Sequence, residues 1–419
     1  MRFAKESLST LGPGLTTGAA DDDPSGIATY SQVGAQYGFQ LLWLTLFTFP
    51  FMSIVQEMCA RIGMVTGQGL ATNIRKHYSR PILLTIATLL FIANTLNIAA
   101  DLGAMAAATK LLIPHISTGL VMAVFAVLSL LLQIFASYAS YSRYLKYLTL
   151  VLFSYVFTAF AVHLDWGQAL RHTIIPSITF SRDQFFLLCA FLGTTISPYL
   201  FFWQTSQEVE EEILAGKKTV ASRRGVTLHD IKKMRSDVWL GMFFSNAVAF
   251  FIIAACAATL FTHGITTITS AEQAASAIRP FAGELTYVFF AIGIIGTGFL
   301  AVPVLAGSTA YAIAESFKWR EGLYRKFNKA YAFYGIIIVS VTFGLCANFL
   351  RIDPIHLLLY SAMVNGLIAP VILFFIIRIS SNKRIMGDYP NHRLTTAGGW
   401  IIMSIMGVTG MAVAVSLFF

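Results

Sequence analysis

The chain has 419 residues, of which 56% are hydrophobic and 12% charged, about half the ~25% charged share of a soluble domain. That balance excludes a soluble globular fold, a disordered chain and a disulfide scaffold, and leaves a polytopic all-α membrane protein. The net charge of +9 does not indicate nucleic acid, because the basic residues are dispersed among connections between apolar stretches and form no groove.

A transmembrane helix needs about 20 mostly apolar residues. By that measure the chain holds eleven spans, at 8–37, 39–64, 81–112, 116–136, 145–163, 184–206, 238–262, 282–316, 331–350, 355–378 and 396–418. Residues 1–20 lack an uninterrupted apolar core and carry Gly12, Pro13, Gly14 and Gly18, so no cleavable leader is expected. The first span is interrupted near its middle by Gly18-Ala19-Ala20-Asp21-Asp22-Asp23-Pro24-Ser25-Gly26. The second carries Glu57 one turn before Arg61, a spacing that reads as an i, i+4 ion pair near the inner interface. The third carries Asp101, either an ion or proton relay or the partner of a neighbouring helix. The sixth is interrupted at Gly193-Thr194-Thr195-Ile196-Ser197-Pro198-Tyr199. After it, residues 207–237 begin with Glu208, Glu210, Glu211 and Glu212 and then turn basic, which reads as a helical cytoplasmic connector. The tenth span holds Asn365 in an apolar setting, where it offers an amide to the ion or proton pathway, although an interhelical hydrogen bond is the commoner use of such a residue. The four cysteines, Cys59, Cys189, Cys256 and Cys346, lie in apolar stretches and read as buried small hydrophobes, with neither disulfide nor metal.

With the N-terminus in the cytoplasm, 24 of the 29 Lys and Arg residues fall on inside segments. The positive-inside rule therefore places the N-terminus inside and the C-terminus outside, in a multi-pass plasma (inner) membrane protein.

Proline removes a backbone donor and clashes with the preceding turn, so each interruption should free carbonyls and leave two half-helix ends facing each other. The breaks occupy corresponding positions in two sets of five spans. Five is odd, so the sets must run in opposite directions, the signature of an inverted-repeat transporter with its substrate between the broken helices. On this reading one transmembrane transporter domain covers 1–419, with a first repeat at about 8–163, a second at about 184–378 and an extra span at about 396–418.

The carboxylates within spans are Asp21, Asp22, Asp23, Glu57 and Asp101, each costly there unless paired, hydrated or coordinating. Asp23 stands directly before Pro24, where a carboxylate beside freed carbonyls makes a hard-oxygen cation site. Asp21 and Asp22 either assist it or face the vestibule, since three adjacent side chains cannot all reach one ion. Ser197 adds a hydroxyl, Thr194 and Thr195 carbonyls and hydroxyls, and Ser25 and Gly26 backbone groups. The eight histidines fall in loops or near span ends, which leaves no imidazole at mid-membrane. An all-oxygen site with few carboxylates suits Mg²⁺, which keeps much of its water, although Na⁺ or a small organic cation would accept the same groups.

These motifs resemble the NRAMP family of divalent-metal transporters. The family's Gly-Pro-Gly and Asp-Pro-Gly-Asn are matched by Gly12-Pro13-Gly14 and Asp23-Pro24-Ser25-Gly26, its second-span ending by Ala60-Arg61-Ile62-Gly63-Met64-Val65-Thr66-Gly67, and its Met-Pro-His by Ser197-Pro198-Tyr199. The resemblance implies a LeuT-like inverted repeat, alternating access, and an ion held by Asp23 with the carbonyls of Ala20 and Thr194. Gly26 replaces the family's asparagine ligand, Ser197 its metal-selective methionine, Tyr199 and Gln204 two sixth-span histidines, and Ala104 the third-span glutamate of its proton pathway. This pattern is similar to that of the NRAMP-related magnesium transporters. It implies transport of Mg²⁺, with Mn²⁺ accepted, without strong proton coupling.

The expected partners are thus a divalent cation and the lipid bilayer, with no resident cofactor and no obligatory protein partner. A carrier for an amino acid or small organic cation is the alternative on the same fold, with Tyr199, Phe201 and Trp203 hinting at an aromatic pocket. A third reading is a non-transporting sensor that binds through 207–237. No nucleophile and base pair, metal-ligand cluster or phosphate loop indicates an enzyme.

Overall fold

A computed structural model of the protein describes residues 12–162, 164–179, 181–268, 270–350 and 354–416. Arg2, Lys5, His163, Arg351, residues 8–11 of the first span and residues 417–418 of the eleventh lie outside the described residues. The described residues are helical and contain no strand.

The first span is two short helices, α1 (Pro13–Asp21) and α2 (Pro24–Tyr37). The second is α3 (Trp43–Thr66), which ends on Gly67 in the left-handed conformation, and a short α4 (Leu70–His77) leads to the third, α5 (Arg80–Leu112). Then come α6 (Thr118–Phe135) and a fifth span that starts earlier than the sequence suggests. Its pieces are α7 (Tyr138–Leu148), a 3₁₀ turn and α8 (Phe153–Ala161). A connecting α9 (Trp166–Ile174) precedes the second broken span, α10 (Arg182–Thr195) and α11 (Pro198–Leu214). The chain finishes with α12 (Leu228–Thr259), α13 (Ala271–Phe317), α14 (Tyr331–Ala347), α15 (Pro354–Ser380) and α16 (Arg393–Ser416). In α13, Gly283 at φ 84° breaks the helix, and the apolar crossing begins after it, at Tyr287.

Among the described residues, seven helical runs are long and apolar enough to cross a bilayer, and α14 and part of α15 are shorter apolar helices. The other two expected spans are the broken first and α3, which holds Glu57 and Arg61. Leu120, Phe135, Phe157 and Phe343 stand exposed on the outer faces, as side chains that meet hydrocarbon do. Cys346 stands with them. Cys59, Cys189 and Cys256 are buried and all four are free thiols, so the expectation of burial fails at Cys346, which points outward from α14.

Helix packing is reciprocal between the two sets of five spans. The seventh span, α12, packs on both halves of the first, and the second span, α3, packs on α11 of the sixth. The third and eighth, α5 and α13, pack on each other; α5 also meets the tenth, as α13 meets the fifth. Exchanging each span for the one five later maps these contacts onto themselves, as an inverted repeat requires.

The connections that the positive-inside rule assigns to the cytoplasm meet at one end. A polar cavity of about 470 Å³ brings together Lys76, Arg224 and Arg384 from three of them. A second, of about 370 Å³, joins Gln68, Arg223 and Arg325. The acidic start of 207–237 is not a connector: α11 continues to Leu214, with Glu208, Glu210 and Glu212 buried. Glu210 accepts hydrogen bonds from the Tyr311 hydroxyl at 2.5 Å and from the backbone N–H groups of Leu323 at 2.7 Å and Tyr324 at 3.1 Å. These donors make a buried carboxylate tolerable, so a polar stretch in the sequence became the inner end of the sixth span.

Candidate cation site

Both breaks are built alike. Each is two residues long and followed by proline at the first helical position. Asp22 (φ −83°, ψ 52°) and Asp23 (−69°, 166°) precede Pro24, and Ile196 (−118°, 64°) and Ser197 (−79°, 130°) precede Pro198. Proline disfavours a helical conformation in the residue before it and is pre-set for helix itself, so the sequence ends one helix and starts the next within two residues.

The breaks meet crosswise. The Tyr199 hydroxyl, in the first turn of α11, donates to the carbonyl of Ala20 in the last turn of α1 at 2.9 Å. In the opposite sense, a Cβ built on Gly26 in α2 would stand 3.1 Å from Thr194 Oγ1 in α10 and 3.3 Å from the Asp21 carbonyl oxygen.

The three aspartates diverge, and all are buried. Asp23 caps α2: its Oδ1 accepts from the Gly26 N–H and the Ser25 hydroxyl, both at 2.6 Å. Its Oδ2 accepts from Asn97 Nδ2 of α5 at 2.7 Å. Asp21 turns toward α12, where the Ser245 hydroxyl lies 3.4 Å from its Oδ2. Asp22 has no hydrogen-bond partner for either oxygen among the described residues, and the same holds for Asp101. Asp101 lies one turn beyond Asn97, on the same face of α5. Sequence reasoning missed Asn97; its signal was an amide one turn before a buried carboxylate in an apolar span.

Both carbonyls expected to serve as ligands carry hydroxyl donors. Tyr199 caps that of Ala20, and Ser197 Oγ donates to Thr194 at 2.6 Å, with Gly193 at 3.1 Å. Ser197 thus stands at the break but turns back on its own helix end. Gln204 lies further along α11 and donates to Glu208 at 2.8 Å. Asn365 is buried, and its Oδ1 has no hydrogen-bond partner among the described residues. Phe201 and Trp203 are buried, and Trp203 packs edge-on against Tyr141 and Tyr311.

The inner half of the first span is clamped. Asp237 of α12 accepts from the N–H groups of Gly12 and Gly14, each at 2.7 Å, across the N-terminus of α1, where a carboxylate also meets the positive end of the helix dipole. Gly14 and Gly18, four residues apart, let the two backbones touch: a Cβ on Gly14 would lie 2.6 Å from the Val238 nitrogen, and one on Gly18 would overlap the Gly241 carbonyl. Below this, Glu57 forms the expected ion pair with Arg61, and also binds Arg235 at 2.8 Å and Trp239 Nε1 at 2.9 Å.

The family model described as "Natural resistance-associated macrophage protein-like" matches residues 14–416. The chain belongs to the Nramp family. This Nramp chain is 29% identical over 413 residues to the "Divalent metal cation transporter MntH" of Clostridium acetobutylicum, covering 97% of this chain and 90% of that protein. It is 24% identical to the MntH of Klebsiella pneumoniae strain 342, over 96% and 92%. Among solved structures it resembles the Eremococcus coleocola manganese transporter in complex with an aromatic bis-isothiourea substituted compound. The TM-score is 0.74 at 18% identity, covering 97% of this chain and 86% of that one. The nucleobase-cation-symport-1 family transporter Mhp1, in a closed conformation, shares the fold at TM-score 0.61 and 14% identity, over 97% and 90%. The Nramp fold is thus of the LeuT type, and the chain is a multi-pass membrane transporter rather than an enzyme.

Proposed function

We propose that the protein carries divalent metal cations, Mg²⁺ with Mn²⁺ also accepted, into the cytoplasm by alternating access, with Asp23 at the centre of the site. The observation that carries this reading is the meeting of two proline-ended helix breaks, with a buried carboxylate, backbone carbonyls and hydroxyls around them. The similar proteins named divalent metal cation transporters support the substrate class.

Among the described residues, no three His, Cys, Asp or Glu side chains converge to hold a metal. A cation here takes one carboxylate, carbonyls of Ala20 and Thr194, hydroxyls and its own water, a set that suits a hard cation. Ser197 and Gly26 in place of the family's methionine and asparagine harden the set further. Asp21, Asp22 and Asp101 line the approach, and the buried unpartnered oxygens of Asp22 and Asp101 call for a proton or a passing cation. Tyr199, Gln204 and Ala104 offer no group that shuttles protons at neutral pH, so strong proton coupling is not part of the reading. A negative-inside potential contributes about 2.3 kcal/mol per charge per 100 mV, enough to drive a dication inward. The gathering of basic connections at one end supports a cytoplasmic N-terminus and an outside C-terminus. The first repeat is assigned to about 8–163, the second to about 184–378 and the extra span to about 396–418.

Titration calorimetry of the purified protein tests the site. Saturable Mg²⁺ and Mn²⁺ binding lost in Asp23→Ala is the expected result; equal binding by both proteins contradicts it.

A further inference from the structure

We infer that Asn97, anchored by Ser361, is a specificity-determining positioning residue that limits Asp23 to a single metal bond. This rests on Asp23 being the cation ligand. A carboxylate offers about four lone-pair positions on its two oxygens. Both positions on Asp23 Oδ1 are filled, by the Ser25 hydroxyl and the Gly26 N–H. Asn97 Nδ2, at 2.7 Å, fills one position on Oδ2, leaving one for a cation.

The amide is itself held. The Ser361 hydroxyl of α15 donates to Asn97 Oδ1 at 2.9 Å and lies 3.3 Å from the Ala93 carbonyl oxygen. That donation also fixes which end of the amide faces Asp23: an amide oxygen accepting from Ser361 turns its NH₂ to the carboxylate. Asn97 and Ser361 are both buried, so no bulk water competes for these bonds. The first, third and tenth spans are thereby joined through one carboxylate oxygen.

The consequence is selectivity by denticity. Mg²⁺ binds carboxylates through single oxygens, in a tight octahedron completed largely by water, whereas Ca²⁺ takes more ligands and readily binds a carboxylate through both oxygens. A carboxylate pinned by three donors offers the first geometry and withholds the second.

The test is flux into proteoliposomes holding full-length Asn97→Ala, Asn97→Thr or Ser361→Ala protein, with KM, maximal rate, Ca²⁺ inhibition and thermal stability read in parallel. Asn97→Ala is expected to reduce the preference for Mg²⁺ over Ca²⁺ by about tenfold, the scale of one hydrogen bond to a charged group. Ca²⁺ becomes a competitive inhibitor while the maximal rate is largely kept. Ser361→Ala shifts the preference the same way by less, and Asn97→Thr, whose shorter hydroxyl reaches less far, falls between. An unchanged preference overturns the inference even if rate or stability falls, because a structural role alone lowers those without altering discrimination. Should Asn97→Ala fail to fold, Asn97→Thr and Ser361→Ala decide by the same measure. Asp23→Ala separates the two levels: if it still carries Mg²⁺, the site assignment fails; if it is inactive while the Asn97 variants discriminate as before, only this inference fails.

Discussion

The Tyr199 hydroxyl donates to the Ala20 carbonyl across 2.9 Å, so the break in the sixth span covers the carbonyl that the break in the first has freed. Ser197 does the same for Thr194 within its own span, at 2.6 Å. A cation arriving at these oxygens competes with two hydroxyl donors. Tyr199→Phe removes one competitor and keeps the ring, and should lower the KM for Mg²⁺ flux by roughly fivefold, the worth of an ordinary net hydrogen bond. A raised KM would show that the phenol helps hold the ion.

Ser197→Met places a thioether at the sixth-span break. Soft sulfur favours transition metals over Mg²⁺, so the ratio of Mn²⁺ to Mg²⁺ transport should rise by about tenfold, equivalent to ~1.4 kcal/mol. Competition between the two ions in a single flux assay measures it.

Asp237→Ala strips the cap from Gly12 and Gly14. Loss of an N-cap costs about 1 kcal/mol, and here it also loosens α1 from α12. A lower melting temperature and faster labelling of a cysteine introduced at Leu15 are expected. Gly18→Leu, which drives a side chain into the Gly241 backbone, should abolish the packed state altogether, seen as loss of a monodisperse peak in detergent.

Much of this was legible in the sequence, and the reasons differ by residue. The breaks were visible because proline acts locally, on its own turn and on the residue before it. The Glu57 and Arg61 pair was visible because i, i+4 spacing is a property of one helix. Asn97, Ser361 and Asp237 were not, because their partners lie on other spans, 74, 264 and more than 220 residues away in sequence. The burial of Glu208, Glu210 and Glu212 was hidden for the same reason: hydropathy reads a run of glutamates as solvated, whereas the donors to Glu210 come from Tyr311 of α13 and from the loop after it.

Glu321, in the connection after α13, has its carboxyl pushed up to about 8 by burial and by the neighbouring Glu315 carboxylate. A carboxyl group raised above its unfolded value near 4.5 favours the folded state fully below that value, and the contribution is lost as pH rises through about 8. Stability should therefore fall between pH ~5 and ~8, and Glu321→Gln should flatten that slope. Melting curves across the range check it.

Removal of the Glu57 carboxylate leaves Arg61 buried without its ion-pair partner. Breaking a buried pair from one side costs about 3–5 kcal/mol, so Glu57→Ala should lower the melting temperature far more than Arg235→Ala, whose half-exposed side chain is screened by water.

The central claim is that Asp23 sits at the heart of a hard-cation pathway that needs no proton. The direct measurement is Mg²⁺ and Mn²⁺ entry into proteoliposomes under an imposed inside-negative potential, with an internal pH dye and Asp23→Ala alongside. The account predicts saturable entry of both ions, abolished in Asp23→Ala, with internal pH unchanged. Acidification that tracks metal entry would contradict the uncoupled mechanism, and absence of metal flux at every potential would contradict the claim itself.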